Sequence, residues 1–253
     1  MTDHVAPATG RVDGPVPSSA AGERLLELIR VMARLRGPDG CPWDREQTHQ
    51  TLARHLLEET HELLDAIDAG GSDEIRDEVG DLLLQVVFHA QMAADDGRWD
   101  IDDVAAGLVE KLVHRHPHVF GDTEVSGAEE VLTNWERLKA EESGGRRAVD
   151  DEIPATLPAL ARAAKVQRRA AGWDAGWSEA SEATHALRDA THALTGDADD
   201  VERQIGEVLF AAVAVARLSG IDAESALRRV TRVVAERYEA QIAEAGGTTD
   251  PRA

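Results

Sequence analysis

Two amphipathic segments constrain this chain most, because each places acidic residues beside leucines at helical spacing. The first reads LLEETHELL over residues 56–64, and the second reads DEVGDLLL over residues 77–84. The leucines of each segment recur at steps of three and four residues, which predicts a helix with one apolar face. A chain of this kind buries its leucines by packing two helices against each other. Its acidic residues then lie along the edge of the helix pair.

Each predicted helix carries two acidic side chains on one face, since residues three apart are neighbours on a helix. The pairs are Glu59 with Glu62 and Glu78 with Asp81. In a helix hairpin these carboxylates converge, and like charges ~4 Å apart cost about 4 kcal/mol per pair at an effective dielectric near 20. A hard divalent cation relieves that repulsion, so we expect Mg²⁺, with Mn²⁺ as a substitute. Solvated acidic helix faces are the alternative interpretation.

Composition favours an all-α protein and excludes several classes. Helix formers dominate the 253 residues, and aromatic residues make up only 4%. No apolar run approaches the ~18 residues of a membrane span, and the first residues lack a secretory signal pattern. Cys41 is the sole cysteine, which excludes an intrachain disulfide and fits a cytoplasmic protein. The net charge of −21 argues against a nucleic-acid surface.

Apolar periodicity predicts five helices in the first half of the chain. The first starts near Glu23 and is broken at residues 37–42 by glycines and prolines. The others are predicted at residues 48–69, at 72–94, from Ile101 to the residue before Pro117, and at 129–141. The inner side of the third is predicted to carry Val79, Leu82, Leu83, Val86, Val87 and Ala90.

The second half of the chain repeats the first. Residues 182–187 echo 58–63, residues 204–210 echo 78–84, and residues 223–238 echo 103–116. The positions of Glu59, Glu62, Glu78 and Asp81 are then filled by Ala183, Ala186, Gln204 and Glu207. This predicts one working site and one degenerate copy. The predicted organisation is a disordered tail at 1–20, an active domain at 21–142, a linker at 143–153, a degenerate domain at 154–245 and a tail at 246–253.

The acidic pattern resembles the signature of the MazG nucleoside triphosphate pyrophosphohydrolases. Supporting segments are GCPWD at 40–44, QTH at 47–49, GDLLLQVVFHA at 80–90, RHPHVFG at 115–121, NWE at 134–136 and AAKVQ at 163–167. The resemblance implies an all-α fold, here with two tandem MazG-like repeats, and a homodimer. It also implies Mg²⁺-dependent cleavage of NTP to NMP and pyrophosphate. The metal ligands it implies are Glu59, Glu62, Glu78 and Asp81.

Five further residues are site candidates. Lys111 and Arg115 match basic residues of the family that meet the phosphates, while a solvated basic face is the alternative. Arg54 flanks the first acidic helix and can reach a phosphate or form an ordinary ion pair. Trp43 either stacks on the nucleobase or caps the core. Glu58 points about 100° away from Glu59 on the helix; it accepts a proton from the attacking water, holds an outer water, or is a surface acid.

The function predicted from the sequence is hydrolysis of NTPs and dNTPs, including aberrant nucleotides, as house-cleaning of the nucleotide pool. Two alternatives stay open. One is a pyrophosphatase with a narrow substrate, such as dUTP or an oxidised nucleotide. The other is a non-enzymatic regulatory protein that binds a basic partner through its acidic surface. Neither nucleic acid nor a membrane is an expected partner.

Overall fold

Helices form all the regular structure that the computed structural model describes, as the sequence predicts. The described residues are 19–127, 130, 131, 134, 135, 138, 149, 153–194 and 200–244, and no strand occurs among them. The chain divides into two compact units, Met1–Gly145 and Arg146–Ala253.

Six helices of the first unit have both ends within the described residues. They are α1 (Ser19–Arg36), α2 (Pro42–Glu46), α3 (His49–Ala69), α4 (Ser72–Asp95), α5 (Ile101–Arg115) and α6 (Pro117–Phe120). The predicted second, third and fourth helices match α3, α4 and α5 within one or two residues. Helix α1 begins at Ser19, two residues inside the segment expected to be a tail. The fifth predicted helix, 129–141, and the remainder of both tails lie largely or wholly outside the described residues.

Local chemistry fixes where the acidic hairpin begins and turns. Thr48 caps α3 in a capping box: its hydroxyl accepts from the backbone N–H of Thr51, whose own hydroxyl accepts from the N–H of Thr48. Gly70 ends the helix with φ +79°, a left-handed conformation that glycine adopts without steric cost. Gly71 then precedes Ser72, the first residue of α4. A two-residue connection forces α3 and α4 to run antiparallel as neighbours.

The core of the first unit lies where α1 and α3 pack against α4. Its fully buried members are Met32, Leu52, Val87, Phe88 and Met92, with Leu28, Ile29 and Leu84 packed around them. Burying a side chain of this size contributes about 1.5–3 kcal/mol relative to leaving it in water. This core fixes the α3–α4 pair that carries the acidic residues.

One sequence prediction about α4 is wrong in part. Val87 and Ala90 are buried, but Val79, Leu83 and Val86 are 49%, 38% and 41% exposed. The three exposed residues recur at steps of four and three, so they form one apolar stripe on a side of α4 that the described residues cover only in part. Periodicity identifies an apolar helix face but does not say what packs on it.

The short helix α2 is held close to the core by a tight turn after α1. The N–H of Cys41 donates to the carbonyl of Leu35 over 2.7 Å. A Cβ at Gly40 would lie 2.0 Å from that same carbonyl oxygen, so only glycine fits there. The turn brings Trp43 edge-on against Phe88 of α4, with ring centroids 6.5 Å apart.

The second unit contains four helices within its described residues. They are α7 (Ala159–Ala171), α8 (Ala180–His192), α9 (Val201–Leu218) and α10 (Ala223–Glu244). Helix α9 packs against α8, α7 and α10, as α4 packs against α3, α1 and α5. In each unit, one helix packs against two helices that precede it in the chain and one that follows it. This shared arrangement is compatible with the predicted tandem repeat, which stays a prediction.

No single helix in the described part of the chain is both long and apolar enough to span a bilayer. Helices α9 and α10 meet the length and composition criteria only as a joined pair, and the pair is bent by 107° at its break.

Candidate active site

The α3–α4 hairpin brings together carboxylates that are separated in sequence. Glu59 of α3 and Glu78 and Asp81 of α4 each offer one oxygen, and these oxygens all lie within 4.8 Å of one another. Among the described residues this is the one such group of potential metal ligands. Glu59 and Glu78 are half-buried, while Asp81 is exposed. The predicted convergence of the two helices' acids is therefore seen in the structure.

Glu62, the fourth predicted ligand, lies beside this group without belonging to it. It is exposed on α3, one turn after Glu59. Its charge acts on the other acids: desolvation first, then neighbouring carboxylates including Glu62, raise the pKa of Glu59 and of Glu78 above 4.5. The cluster thus carries more negative charge than the protein itself compensates.

The residues present fit a hard divalent cation. All the converging donors are carboxylate oxygens, which Mg²⁺ and Mn²⁺ prefer. The Oε2 atom of Glu78 is buried and has no hydrogen-bond partner in the protein. A buried charged oxygen without a partner is costly, and a bound cation removes that cost.

Glu58 lies on α3 directly before Glu59 of the cluster. Its side chain is 63% exposed, and its Oε2 accepts a hydrogen bond of 3.1 Å from Nδ1 of His55. Sequence reasoning missed His55. The available signal was its spacing, since it precedes Glu58 by three residues and Glu59 by four, and so shares their side of the helix.

Trp43 is partly packed against the core and partly exposed. The residue is 51% exposed, yet its ring lies edge-to-face with His55 and Phe88, at centroid distances of 6.2 and 6.5 Å. Edge-to-face contacts of this kind are favourable for aromatic pairs. The buried edge holds the ring in place, and the exposed remainder is open to a planar ligand.

The two basic candidates on α5 differ in their surroundings. Lys111 is exposed, whereas Arg115 is half-buried. The guanidinium of Arg115 lies over the ring of Trp135, 5.3 Å from its centroid, as a cation–π pair. Arg54, the third basic candidate, donates through Nε to Nε2 of His55 over 3.2 Å. The cation–π partner of Arg115 was a second residue whose role sequence reasoning missed.

Comparison with known proteins identifies the family. Residues 47–120 match the model of the MazG nucleotide pyrophosphohydrolase domain. The chain is 42% identical over 222 residues to the nucleoside triphosphate pyrophosphohydrolase of Escherichia coli K12, covering 83% of this chain and 84% of the relative. It is 40% identical over 222 residues to the nucleoside triphosphate pyrophosphohydrolase/pyrophosphatase MazG of Thermotoga maritima, covering 87% and 86%.

An uncharacterized 26.1 kDa protein of Streptomyces cacaoi is 42% identical over 243 residues, covering 92% of each chain. The matched family domain contains α3, α4 and α5, which are the helices that carry the acidic cluster and the basic candidates. The chain therefore belongs to the MazG family of nucleoside triphosphate pyrophosphohydrolases, hydrolases that act on phosphoric anhydrides.

Proposed function

We propose that this chain hydrolyses a broad range of nucleoside and deoxynucleoside triphosphates, including aberrant ones, to monophosphate and pyrophosphate. House-cleaning of the cytoplasmic nucleotide pool is its proposed role. The observation that carries the proposal is the convergence of Glu59, Glu78 and Asp81 within 4.8 Å. A polyanionic triphosphate is held beside carboxylates only through a cation. The converging carboxylate oxygens of this cluster are suitable ligands for a hard divalent cation.

Glu59, Glu62, Glu78 and Asp81 are the residues that would hold Mg²⁺ in this proposal. The unpartnered Oε2 of Glu78 and the raised pKa of Glu59 and Glu78, caused first by desolvation and then by neighbouring carboxylates, support that assignment. When bound, the cation neutralises phosphate charge and orients substrate and water. The exposed position of Asp81 leaves one side of the cluster open to a triphosphate.

The remaining candidates divide the chemistry among them. Water attacks the α-phosphorus, a new P–O bond forms, and the bond from that phosphorus to the oxygen bridging the α- and β-phosphates breaks. Glu58 accepts the proton that the attacking water loses. Lys111 and Arg115 stabilise the charge that develops on the departing pyrophosphate, with Arg54 as a further phosphate contact. Trp43 stacks on the base through its exposed face.

A homodimer is the proposed assembly. The apolar stripe of Val79, Leu83 and Val86 is exposed on α4 at a helical spacing suited to packing against another helix. Sedimentation at micromolar concentration should give twice the chain mass for wild type and the single-chain mass for Leu83→Glu. A monomeric wild type would contradict this part of the proposal. With a net charge of −21, neither nucleic acid nor an anionic membrane is a proposed partner.

The direct test is pyrophosphate release from a panel of NTPs and dNTPs with Mg²⁺. We expect release from many of them by wild type and near-complete loss in Asp81→Asn. The matched control is Glu207→Gln, which alters the acid at the corresponding predicted position in the second unit and should leave release unchanged. One dominant substrate would replace broad hydrolysis with the narrow alternative. No release from any substrate would favour the binding role.

A further inference from the structure

His55 has two hydrogen-bonded neighbours that together define its tautomer. A carboxylate oxygen only accepts, so Nδ1 of His55 carries the hydrogen in its 3.1 Å bond to Oε2 of Glu58. A guanidinium only donates, so Nε2 of His55 accepts in its 3.2 Å bond from Nε of Arg54. These two bonds select one neutral tautomer, and they run in one direction, from Arg54 through His55 to Glu58.

The ring of His55 is also fixed mechanically. The Trp43 ring stands nearly at right angles to it, with 70° between planes and 6.2 Å between centroids. The His55 side chain is 28% exposed, whereas Glu58 is 63% exposed. A free glutamate at such exposure samples several rotamers, so His55 is the part of this pair that the fold holds in place.

Stability alone gives little reason for this arrangement. Exposed pairs between residues three apart on a helix add little to folding free energy. The pair is instead adjacent to the metal cluster, since His55 precedes Glu59 by one turn on α3. With Oε2 of Glu58 occupied by the imidazole, Oε1 is the oxygen that remains to receive a proton.

We propose that Arg54 and His55 are positioning residues that orient Glu58 for proton transfer from the attacking water. This inference rests on the proposed function. It assigns His55 a role beyond packing, and it gives Arg54 a function through His55 in place of, or in addition to, a phosphate contact. Neither residue contacts the attacking water in this scheme: Arg54 fixes the tautomer of His55, and Nδ1–H of His55 fixes the carboxylate of Glu58.

The proposal is tested by substitutions that distinguish the volume of the His55 ring from its hydrogen-bond donor. His55→Leu keeps bulk against Trp43 but removes the donor. His55→Asn offers an amide N–H close to the position of Nδ1. We expect His55→Leu to lower kcat by about 10- to 100-fold with KM within about threefold, as loss of an oriented general base predicts. We expect His55→Asn to recover most of kcat.

A double-mutant cycle distinguishes action through Glu58 from an independent effect. His55→Leu should cost nothing further in a Glu58→Gln background. An equal loss in both backgrounds, an effect on KM alone, or unchanged kcat in His55→Leu would each overturn the inference. His185→Leu, which changes an exposed histidine of α8, is the control and should leave kcat unchanged.

Imidazole ¹⁵N chemical shifts provide a readout that does not depend on turnover. In wild type the hydrogen of the neutral His55 ring should be on Nδ1, and Arg54→Leu should populate the Nε2–H form. An Nε2–H tautomer in wild type would overturn the inference even if the protein is fully active. Wild type that releases no pyrophosphate would instead overturn the proposed function, and with it this role for Glu58.

Discussion

The carboxylates of the two units differ in which charged groups lie beside them. In the first unit Glu59, Glu78 and Asp81 converge, and neighbouring carboxylates add to the desolvation that raises the pKa of Glu59 and Glu78. In the second unit Arg203 donates to both Asp200 and Glu207. An internal guanidinium thus lies beside Glu207, which occupies the predicted position of Asp81.

Side-chain volume differs between the two faces as well. In the predicted register Ala183 and Ala186 replace Glu59 and Glu62. Ala183 is completely buried, while Ala186 lines an open groove of about 420 Å³ together with Trp177 and Phe210. An open groove therefore lies beside the positions where alanines replace the acids. The comparison teaches that a helix hairpin can keep its apolar frame while the carboxylates on its edge either converge on one another or pair with a guanidinium of the same helix.

The largest expected effect follows from removing one acid of the cluster in the first unit. Glu78→Gln removes the acid whose Oε2 is buried without a partner. Outer-shell partners of metal sites cost 10- to 100-fold when lost, so removal of a ligand should lower kcat/KM by at least about 100-fold. Steady-state pyrophosphate release measures this. Activity within a few-fold of wild type would show that the cluster does not hold the catalytic cation.

The next effect tests whether the second unit tolerates an acid where the first requires one. Ala183→Glu places a carboxylate at a position with 0% exposure. A buried charge without a partner should destabilise the protein by about 3 kcal/mol or more, measured by urea unfolding. Ala186→Glu, at the half-buried groove position, is the matched control and should cost less. Equal costs would contradict the distinction between a sealed and an open position.

A smaller effect is expected from removing the Arg203 guanidinium of the second unit. Arg203→Met leaves Asp200 and Glu207 without their shared guanidinium. Because these side chains are 44–59% exposed, solvent screens the interaction, and we expect only a small decrease in Tm that shrinks further in high salt. Pyrophosphate release should not change. A large loss of activity would mean that the second unit contributes directly to catalysis.

The smallest expected effect is a loss of folding stability at low pH, which we assign to a histidine of the first unit. Burial first, and the adjacent His49 second, hold the pKa of His89 below 6.5. The two rings stack with Nδ1 atoms 2.7 Å apart, while Arg98, itself paired with Asp96, contacts Nε2 of His49. Below pH 6.5 the unfolded chain therefore binds more protons at this site, and stability falls as the pH decreases through that window.

His89→Val tests this prediction by copying Val215, the residue that the predicted repeat register places opposite His89 in the second unit. Chemical denaturation between pH 7 and pH 5 should show a flatter pH dependence in the variant than in wild type. An identical slope would exclude His89 as its source.

Much of the fold and of the site followed from local sequence signals. Thr48 and Gly70 mark the ends of α3, and the spacing of Glu59, Glu62, Glu78 and Asp81 placed their carboxylates on facing helices. Three of these four acids converge in the structure. Signals of this kind are readable because capping and helical periodicity act within a few residues.

The remainder depended on contacts that local patterns do not encode. The exposure of Val79 and Leu83 reflects which faces of α4 other helices cover. His55 became a candidate only when its two hydrogen bonds were visible. Pairwise geometry, rather than residue type, defined these features.

Metal binding tests the central claim most directly. Calorimetric titration of Mn²⁺ or Mg²⁺ at pH 7 would compare wild type, Glu78→Gln and Glu207→Gln. We predict that wild type and Glu207→Gln bind the cation alike and that Glu78→Gln binds it at least about 10-fold more weakly. Equal affinity in wild type and Glu78→Gln, or a loss confined to Glu207→Gln, would contradict the assignment of the metal site to the first unit.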